Sequence, residues 1–517
     1  MSLSWDTITS AIVTLVTVSV GFFITQIAHA YLWDGKNENG TSKSPWAPSP
    51  SNLPFYWNGY KAFRLHSYLA LTDWSKQLQT SIYTVKLIQK RVIVLSHADV
   101  VRKALVELEQ SNSSRSITTD AIETVMGDQG KTVFTAQFSA YWGRLRRAIN
   151  RVMRHVVVED KGLSTLVQEE GKVDPELLRE RINRMAMEAV IEMVMGKQSE
   201  MPAEWVDALM QVCKETEQLQ SSRFYYRYGA LVPIIRTLGV VLGGHQPVVQ
   251  LRNSALDILL RMQQGNVPES LKHVEPSKND PTPEPIAPDE ILTNSLHLIM
   301  HGYRFLASSL FTLLQRLASQ SYDIQAHVAA SPAFATSFVA ETMRYTPPMR
   351  LYTHTARSDH DLVWNGKSYR VDEGTPLVVN LDMIHFDPQY YSNPYKFDPE
   401  RFLVTTSETT TTTKGVLSLP SILDDRGDND EEGAKKNKKQ EKSSVRDHLA
   451  FGVGRRACLG SRASQRVMVA MLSQIVKKYK LRGGDPDSVV DHASGIWSWT
   501  GRTDTKGATI EFIRRGV

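Results

Sequence analysis

The stretch that most limits how this chain can fold is "PDEILTNSLHLIMHGYRFLASSLFTLLQRLA", residues 288–318. Drawn as a helix, it is apolar nearly all round, so it belongs inside the molecule with the rest of the chain packed about it. Its ends suit a helix: Pro288 opens the first turn, Asp289 and Glu290 follow, and Arg316 sits in the last. Helical patterning recurs from Phe138 to His155 and from Pro175 to Met195. The run "VIVLSHADVVRKAL" reads as a strand turning into a helix capped by Ser96. A polar, proline-spaced linker covers Gln264 to Pro288. Between Glu341 and Phe402 the reading is helix, then short strands with turns such as "WNGK", then a proline-punctuated loop.

The first 34 residues are of another kind. From Ile8 to Leu32 there is no Asp, Glu, Lys or Arg, enough to cross a bilayer once as a helix. It lacks a basic leader and is too long for a signal-peptide core, so residues 1–34 read as a retained membrane anchor. Lys36 and Lys43 on its far side place the body in the cytosol. Residues 35–54 hold four prolines between Ser42 and Pro54 and read as a stiff hinge, leaving 55–517 as the body. Two cysteines, Cys213 and Cys458, are too few for a disulfide framework. A net charge of +5 gives no argument for nucleic acid as a partner. Within the body, residues 404–447 turn threonine-rich and then densely charged, which predicts a disordered surface insertion. Asn39 and Asn112 lie in glycosylation sequons, a pattern short enough to arise by chance.

The chemistry centres on "DHLAFGVGRRACLG", residues 447–460. A thiolate is a strong ligand for iron if it is kept deprotonated and shielded. Glycines let backbone N–H groups turn toward sulfur and tune the metal. Phe451 is placed to screen Cys458 from water, and Arg456 to pair with a carboxylate of a porphyrin edge.

Phe451, Gly454, Arg456, Cys458 and Gly460 match Phe-x-x-Gly-x-Arg-x-Cys-x-Gly, and here the chain resembles the cytochrome P450 family. The other motifs follow in the family's order. "ETMR" gives Glu341 and Arg344, a helical i, i+3 pair. "FDPERF" gives Arg401, which in the family completes a buried triad with that pair. "YWGRLRR" gives Trp142 and Arg146, and "THTARSDHDL" gives His354, all at positions that reach the haem propionates in the family. The resemblance covers roughly residues 45–517. It implies a mostly α fold with a small β portion, one large domain behind the transmembrane helix, and haem b (iron protoporphyrin IX) with Cys458 as its metal ligand. It implies attachment to the endoplasmic reticulum and electrons from an NADPH-cytochrome P450 reductase. Arg144, Arg146, Arg147, Arg151 and Arg154 lie on one helical segment suited to meeting an acidic partner.

The resemblance breaks on the central helix. The family's Ala/Gly-Gly-x-Asp/Glu-Thr is here "HGYRF": Arg304 stands at the acid position and Phe305 at the threonine. Cleaving O2 needs two protons, and neither Arg304 nor Phe305 supplies one readily. His301, one turn before Phe305, is the substitute donor; Tyr303 and Ser308 are weaker ones. Gly302 keeps a small residue where oxygen or substrate approaches. The expectation is a monooxygenase acting on a small apolar metabolite, with the profile of a fungal secondary-metabolism member. The alternative is a rearrangement, dehydration or isomerisation, in which Arg304 holds an anionic substrate. Ser116–Gln129, His301, Arg304, Phe305 and Met349–Tyr352 are the expected substrate contacts, by the family's layout.

Overall fold

The structure is a computed structural model. It describes residues 44–50, 67–86, 91–114, 132–154, 170–196, 202–221, 246–262, 274, 283–407, 410–413, 448–487, 489–491 and 503–515, with Thr17, Gly21 and Ile24 as isolated helical positions. The expected anchor, the Asn39 sequon, the Ser116–Gln129 contacts and residues 414–447 therefore lie outside the described residues, the three isolated positions apart. Among the described residues no helix is long and apolar enough to cross a membrane.

The chain begins with α1 (Ser67–Leu78), β1 (Ile82–Lys86), β2 (Arg91–Leu95) and α2 (Ala98–Arg102). A π-helical turn, Lys103–Glu107, follows. Next come α3 (Ala140–Arg154), β3 (Gly171–Val173), α4 (Pro175–Met195), α5 (Ala203–Ser221), α6 (Gln246–Met262) and the long α7 (Pro288–Ala318). After α8 (Tyr322–Ala330) and α9 (Pro332–Tyr345), four strands follow: β4 (Leu351–Thr355), β5 (His360–Trp364), β6 (Lys367–Val371) and β7 (Pro376–Asn380). A short α10 (Leu381–His385), β8 (Val404–Ser407) and β9 (Thr410–Thr413) precede the cysteine loop. α11 (Ser461–Lys478) leads out of it to β10 (Tyr479–Gly483), β11 (Val489–Asp491), β12 (Thr503–Thr505) and β13 (Ile510–Arg514).

α7 is the spine. Every residue from Leu306 to Ala318 is buried. The helix packs along α4, whose Asp174 cap, first-turn Pro175 and closing Gly196 fix its ends. The four-stranded sheet runs β1-β2-β7-β4, with β2 and β7 parallel and the other pairs antiparallel. Both of its faces are covered. In β2, Ile93 and Leu95 join one apolar cluster while Val92 and Val94 join another. That explains why "VIVL" reads as a continuous apolar run. A second sheet runs β10-β13-β3. Gln315 of α7 holds it in place: its side chain accepts from the Asp485 and Ala508 N–H groups at 2.8 and 2.9 Å.

The structure departs from the sequence reading at several points. α2 is capped by His97, not Ser96, because His97 Nδ1 accepts from the Asp99 N–H at 3.3 Å. Within the stretch read as a hinge, residues 44–48 make contacts with the body. The Ser44 hydroxyl donates to Asp361 at 2.7 Å, Pro45 and Pro48 carbonyls accept from Arg370 and Thr84 N–H groups, and Trp46 lies against both Arg91 and Arg370. Thr405 and its neighbours pair with Thr412 and its neighbours, so the stretch expected to be disordered opens with a two-stranded ladder of β-branched residues. Asn112 is fully buried, and its side-chain N–H donates to the Ala104 carbonyl at 2.9 Å, which leaves that sequon closed to modification in the folded chain.

Candidate active site

The cysteine loop is shaped by close approach. Gly454 has φ +66°, and a Cβ there would overlap the carbonyl oxygen of Leu105 in the π-helical turn, so only glycine fits. A single 3-10 turn, Gly454–Arg456, follows. The Cys458 N–H then donates to the Phe451 carbonyl at 2.8 Å, closing the loop over itself. Cys458 is exposed and lies three residues before α11. The amino end of a helix favours negative charge on such a sulfur. Phe451 is partly buried against the helical core, with its ring 5.8 Å from that of His448.

Three cationic or N–H-bearing side chains converge beside this loop. Arg456 donates to the carbonyls of Ser113, Val133 and Ala136 at 2.8, 3.1 and 2.5 Å. The Trp142 indole N–H donates to Val133 O at 3.1 Å, and Arg146 donates to Ala457 O at 3.0 Å. The Arg456 guanidinium lies 4.3 Å over the Trp142 ring. β4 reaches the same place, since Thr355 bridges Ser114, the neighbour of the Ser113 carbonyl that Arg456 holds. His354 is buried on β4, its ring 6.0 Å from that of Tyr352.

This donor set fits a haem. Among the described residues no three His, Cys, Asp or Glu groups are placed to hold a metal ion together; a macrocycle would supply the further ligands that an iron at Cys458 needs. Two guanidinium groups and an indole N–H beside one thiol match a porphyrin with two carboxylates.

Behind the loop, Glu341, Arg344 and Arg401 form one buried cluster. Arg344 grips Glu341 through two bonds, 2.7 and 2.8 Å, and Arg401 Nε lies 3.1 Å from both carboxylate oxygens. The Asp398 N–H adds a further bond to Glu341 at 3.0 Å. Further guanidinium N–H groups donate to carbonyls: Arg344 to His385, and Arg401 to Ser392 and Lys396. A buried ionic cluster needs this degree of satisfaction to offset the cost of desolvation.

On α7, His301 is half-buried with its ring 4.6 Å from Phe134 and 6.2 Å from His297. Phe134 neighbours Val133, so His301 borders the segment that Arg456 and Trp142 hold. Phe305 is half-buried one turn on. Arg304 turns the other way, donating to the Cys213 carbonyl of α5 at 2.7 Å. That bond fastens α5 to the spine through one guanidinium nitrogen. Gly302 also has a packing reason: a Cβ there would meet Val190 of α4 at 3.1 Å. Of the α3 arginines, Arg144 pairs with Glu284 at 3.0 Å, while Arg151 is exposed.

Sequence reasoning missed the acceptor side of the site. Segment 132–136 carries it, through backbone carbonyls that any residue supplies. Asn294, a polar residue inside the apolar spine, was the available signal: its side-chain oxygen accepts the Val133 N–H at 2.8 Å and fixes that segment to α7. His385 and His448 were missed as well.

Comparison with known proteins agrees with the geometry. The family model described as Cytochrome P450 matches residues 47–327 and 331–497. Cytochrome P450 2J5 of Mus musculus is 20% identical over 473 residues, spanning 84% of this chain and 85% of its own length. Cytochrome P450 monooxygenase pgmC of Aspergillus terreus is 28% identical over 159 residues, 30% of this chain and 25% of its own. Among solved structures, a zebra fish cytochrome P450 with abiraterone superposes with a TM-score of 0.60 at 16% identity, covering 87% of this chain and 100% of that one; the likeness is one of fold.

Proposed function

The chain belongs to the cytochrome P450 family, and on that premise we propose that it is a membrane-held monooxygenase oxidising a small apolar metabolite. Family and fold make it an oxidoreductase with haem b as cofactor. The observation that carries the proposal is Cys458, presented on a glycine-pinned loop beside Arg456, Trp142 and Arg146.

In this reading Cys458 holds the iron as a thiolate and Phe451 limits water at the sulfur. Arg456, Trp142, Arg146 and His354 hold the carboxylate edge. Bound haem supplies a redox-active iron at which O2 is activated. His301 delivers protons on the substrate side through an imidazole nitrogen, since Phe305 has no exchangeable proton and Arg304 is engaged with α5. Electrons come from a flavoprotein reductase, for which exposed Arg151 and the neighbouring basic face of α3 are suited. The charge-free stretch Ile8–Leu32 supports a single-pass anchor in the endoplasmic reticulum with the body in the cytosol. The partial match to a monooxygenase of a fungus supports oxygenation as the reaction, and a place in secondary metabolism is part of the same proposal.

The test is to delete the gene in its native host, complement with wild type or Cys458→Ala, and compare metabolites by high-resolution mass spectrometry. The expected product is one oxygen heavier than the accumulated precursor, or two hydrogens lighter, and absent with Cys458→Ala. A product with the precursor's own formula would replace oxygenation by rearrangement. An unchanged metabolite profile would count against a role in small-molecule metabolism.

A further inference from the structure

His385 ends α10 and is fully buried. Its Nδ1 lies 2.9 Å from the carbonyl oxygen of Arg344, and its Nε2 lies 3.0 Å from the backbone nitrogen of Leu449. A carbonyl only accepts and a backbone N–H only donates. The ring must therefore carry its proton on Nδ1 and offer a lone pair at Nε2, a single neutral tautomer. Arg344 answers with a second bond, its guanidinium donating to the His385 carbonyl at 2.6 Å.

Each end of this ring touches something consequential. Arg344 is the residue that grips Glu341. Leu449 opens the loop that ends in Cys458, and the loop's own bonds carry its position forward: Gly452 N–H to Leu449 O at 2.9 Å, then Cys458 N–H to Phe451 O at 2.8 Å. Among the described hydrogen bonds, the imidazole is the side chain that joins the Glu341–Arg344–Arg401 cluster to the start of the cysteine loop.

We propose that His385 is a positioning residue for Cys458, setting the register of the cysteine loop against the Glu341–Arg344–Arg401 cluster through its bond to the Leu449 N–H. The inference rests on the reading of Cys458 as the haem ligand and deepens it. Burial and the nearby Arg344, Arg350 and His448 hold the imidazole neutral, as an acceptor at Nε2 must be.

The test separates the two bonds. His385→Asn keeps a polar atom near the Nδ1 position, facing Arg344 O, and loses the reach to Leu449. His385→Gln places a carbonyl oxygen near the Nε2 position, facing the Leu449 N–H, and gives up the bond to Arg344. Both variants are loaded with haem, reduced and exposed to carbon monoxide. The readout is the ratio of the red-shifted Soret band of thiolate ligation to the band of haem without it, beside the thermal midpoint. His385→Gln should keep the wild-type ratio, while His385→Asn should lower it by about ten-fold, the scale of one buried hydrogen bond. If the ratio falls equally in both, or only follows the thermal midpoint, His385 is a packing residue and the proposal fails. A wild-type protein that takes up haem without the red-shifted band overturns the Cys458 reading itself, and is recognised before any variant is compared.

Discussion

Trp142 and Arg456 share one acceptor: the carbonyl oxygen of Val133 lies 3.1 Å from the indole nitrogen and 3.1 Å from an Arg456 guanidinium nitrogen. The two residues stand far apart in sequence, on α3 and on the cysteine loop. Their meeting on one backbone atom makes the segment 132–136 the common wall of the site. Replacing Arg456 with Ala removes charge-assisted bonds to three carbonyls and a stacked contact with Trp142. We expect a loss of about 3–5 kcal/mol of stability and faster transfer of haem to an acceptor globin. Trp142→Phe, which removes one neutral bond, should cost about 1 kcal/mol. Denaturant unfolding of both variants checks the ordering.

Gly454→Ala should be far worse than an ordinary loop substitution. The left-handed backbone alone costs about 1–2 kcal/mol, and the added Cβ would overlap a backbone oxygen, that of Leu105. Neither side of that contact is a flexible side chain. The expected outcome is folded protein whose ferrous carbon-monoxy spectrum lacks the thiolate band, read by absorbance and circular dichroism together.

Glu341→Gln keeps the shape of the side chain and removes the carboxylate that pairs with two buried guanidinium groups. Breaking a buried ionic cluster by removing one partner costs about 3–5 kcal/mol. The urea midpoint should fall accordingly, and Arg401→Lys, which loses the two-atom grip, should fall less.

Acid should destabilise the fold through His385 and His448. Burial, chiefly, holds His385 well below the usual imidazole value, with His448 and Arg344 adding to the effect. Burial and Arg344 lower His448 to about 3. Unfolded, both rings take a proton near pH 6.5. As pH falls below about 6.5, the unfolded chain binds protons that the folded chain refuses, so stability drops by about 1.4 kcal/mol per pH unit for each ring. Above that pH neither ring contributes. Urea midpoints at pH 7.5, 6 and 5 give the slope, and His448→Phe should make it shallower.

On the spine, His301 and Arg304 should separate cleanly. Arg304→Ala breaks the bond to Cys213 O and should cost about 1–3 kcal/mol while leaving the haem spectrum unchanged. His301→Phe should keep both spectrum and stability and slow product formation by about 10²-fold, the usual loss for a proton-transfer group. Product formed per NADPH consumed is the measurement.

Much of this was legible because the deciding signal was local. Pro175 after Asp174, with Gly196 at the far end, marks α4 to the residue. The all-round apolar run 288–318 matches α7. What escaped was decided by distant partners. His97 rather than Ser96 caps α2 in a setting where its ring also meets Gln389 and Tyr390, far along the chain. Trp46 docks because Arg91 and Arg370 flank it. Arg304 sits at an expected catalytic position, yet its guanidinium reaches the backbone of α5, which no spacing rule reveals. Val133 contributes a carbonyl, a group with no sequence signature.

The central strand of the β10-β13-β3 sheet is β13, where Ile510 faces Val173 and Gly483 from its two sides. During synthesis β3 emerges among the earlier segments and must stay unpaired until β13 follows; β2 waits likewise for its parallel partner β7. For that interval both carry open rows of N–H and C=O groups, the kind of edge through which nascent chains associate. A lower growth temperature, which weakens apolar association between such exposed strands, should therefore raise the yield of monomeric protein.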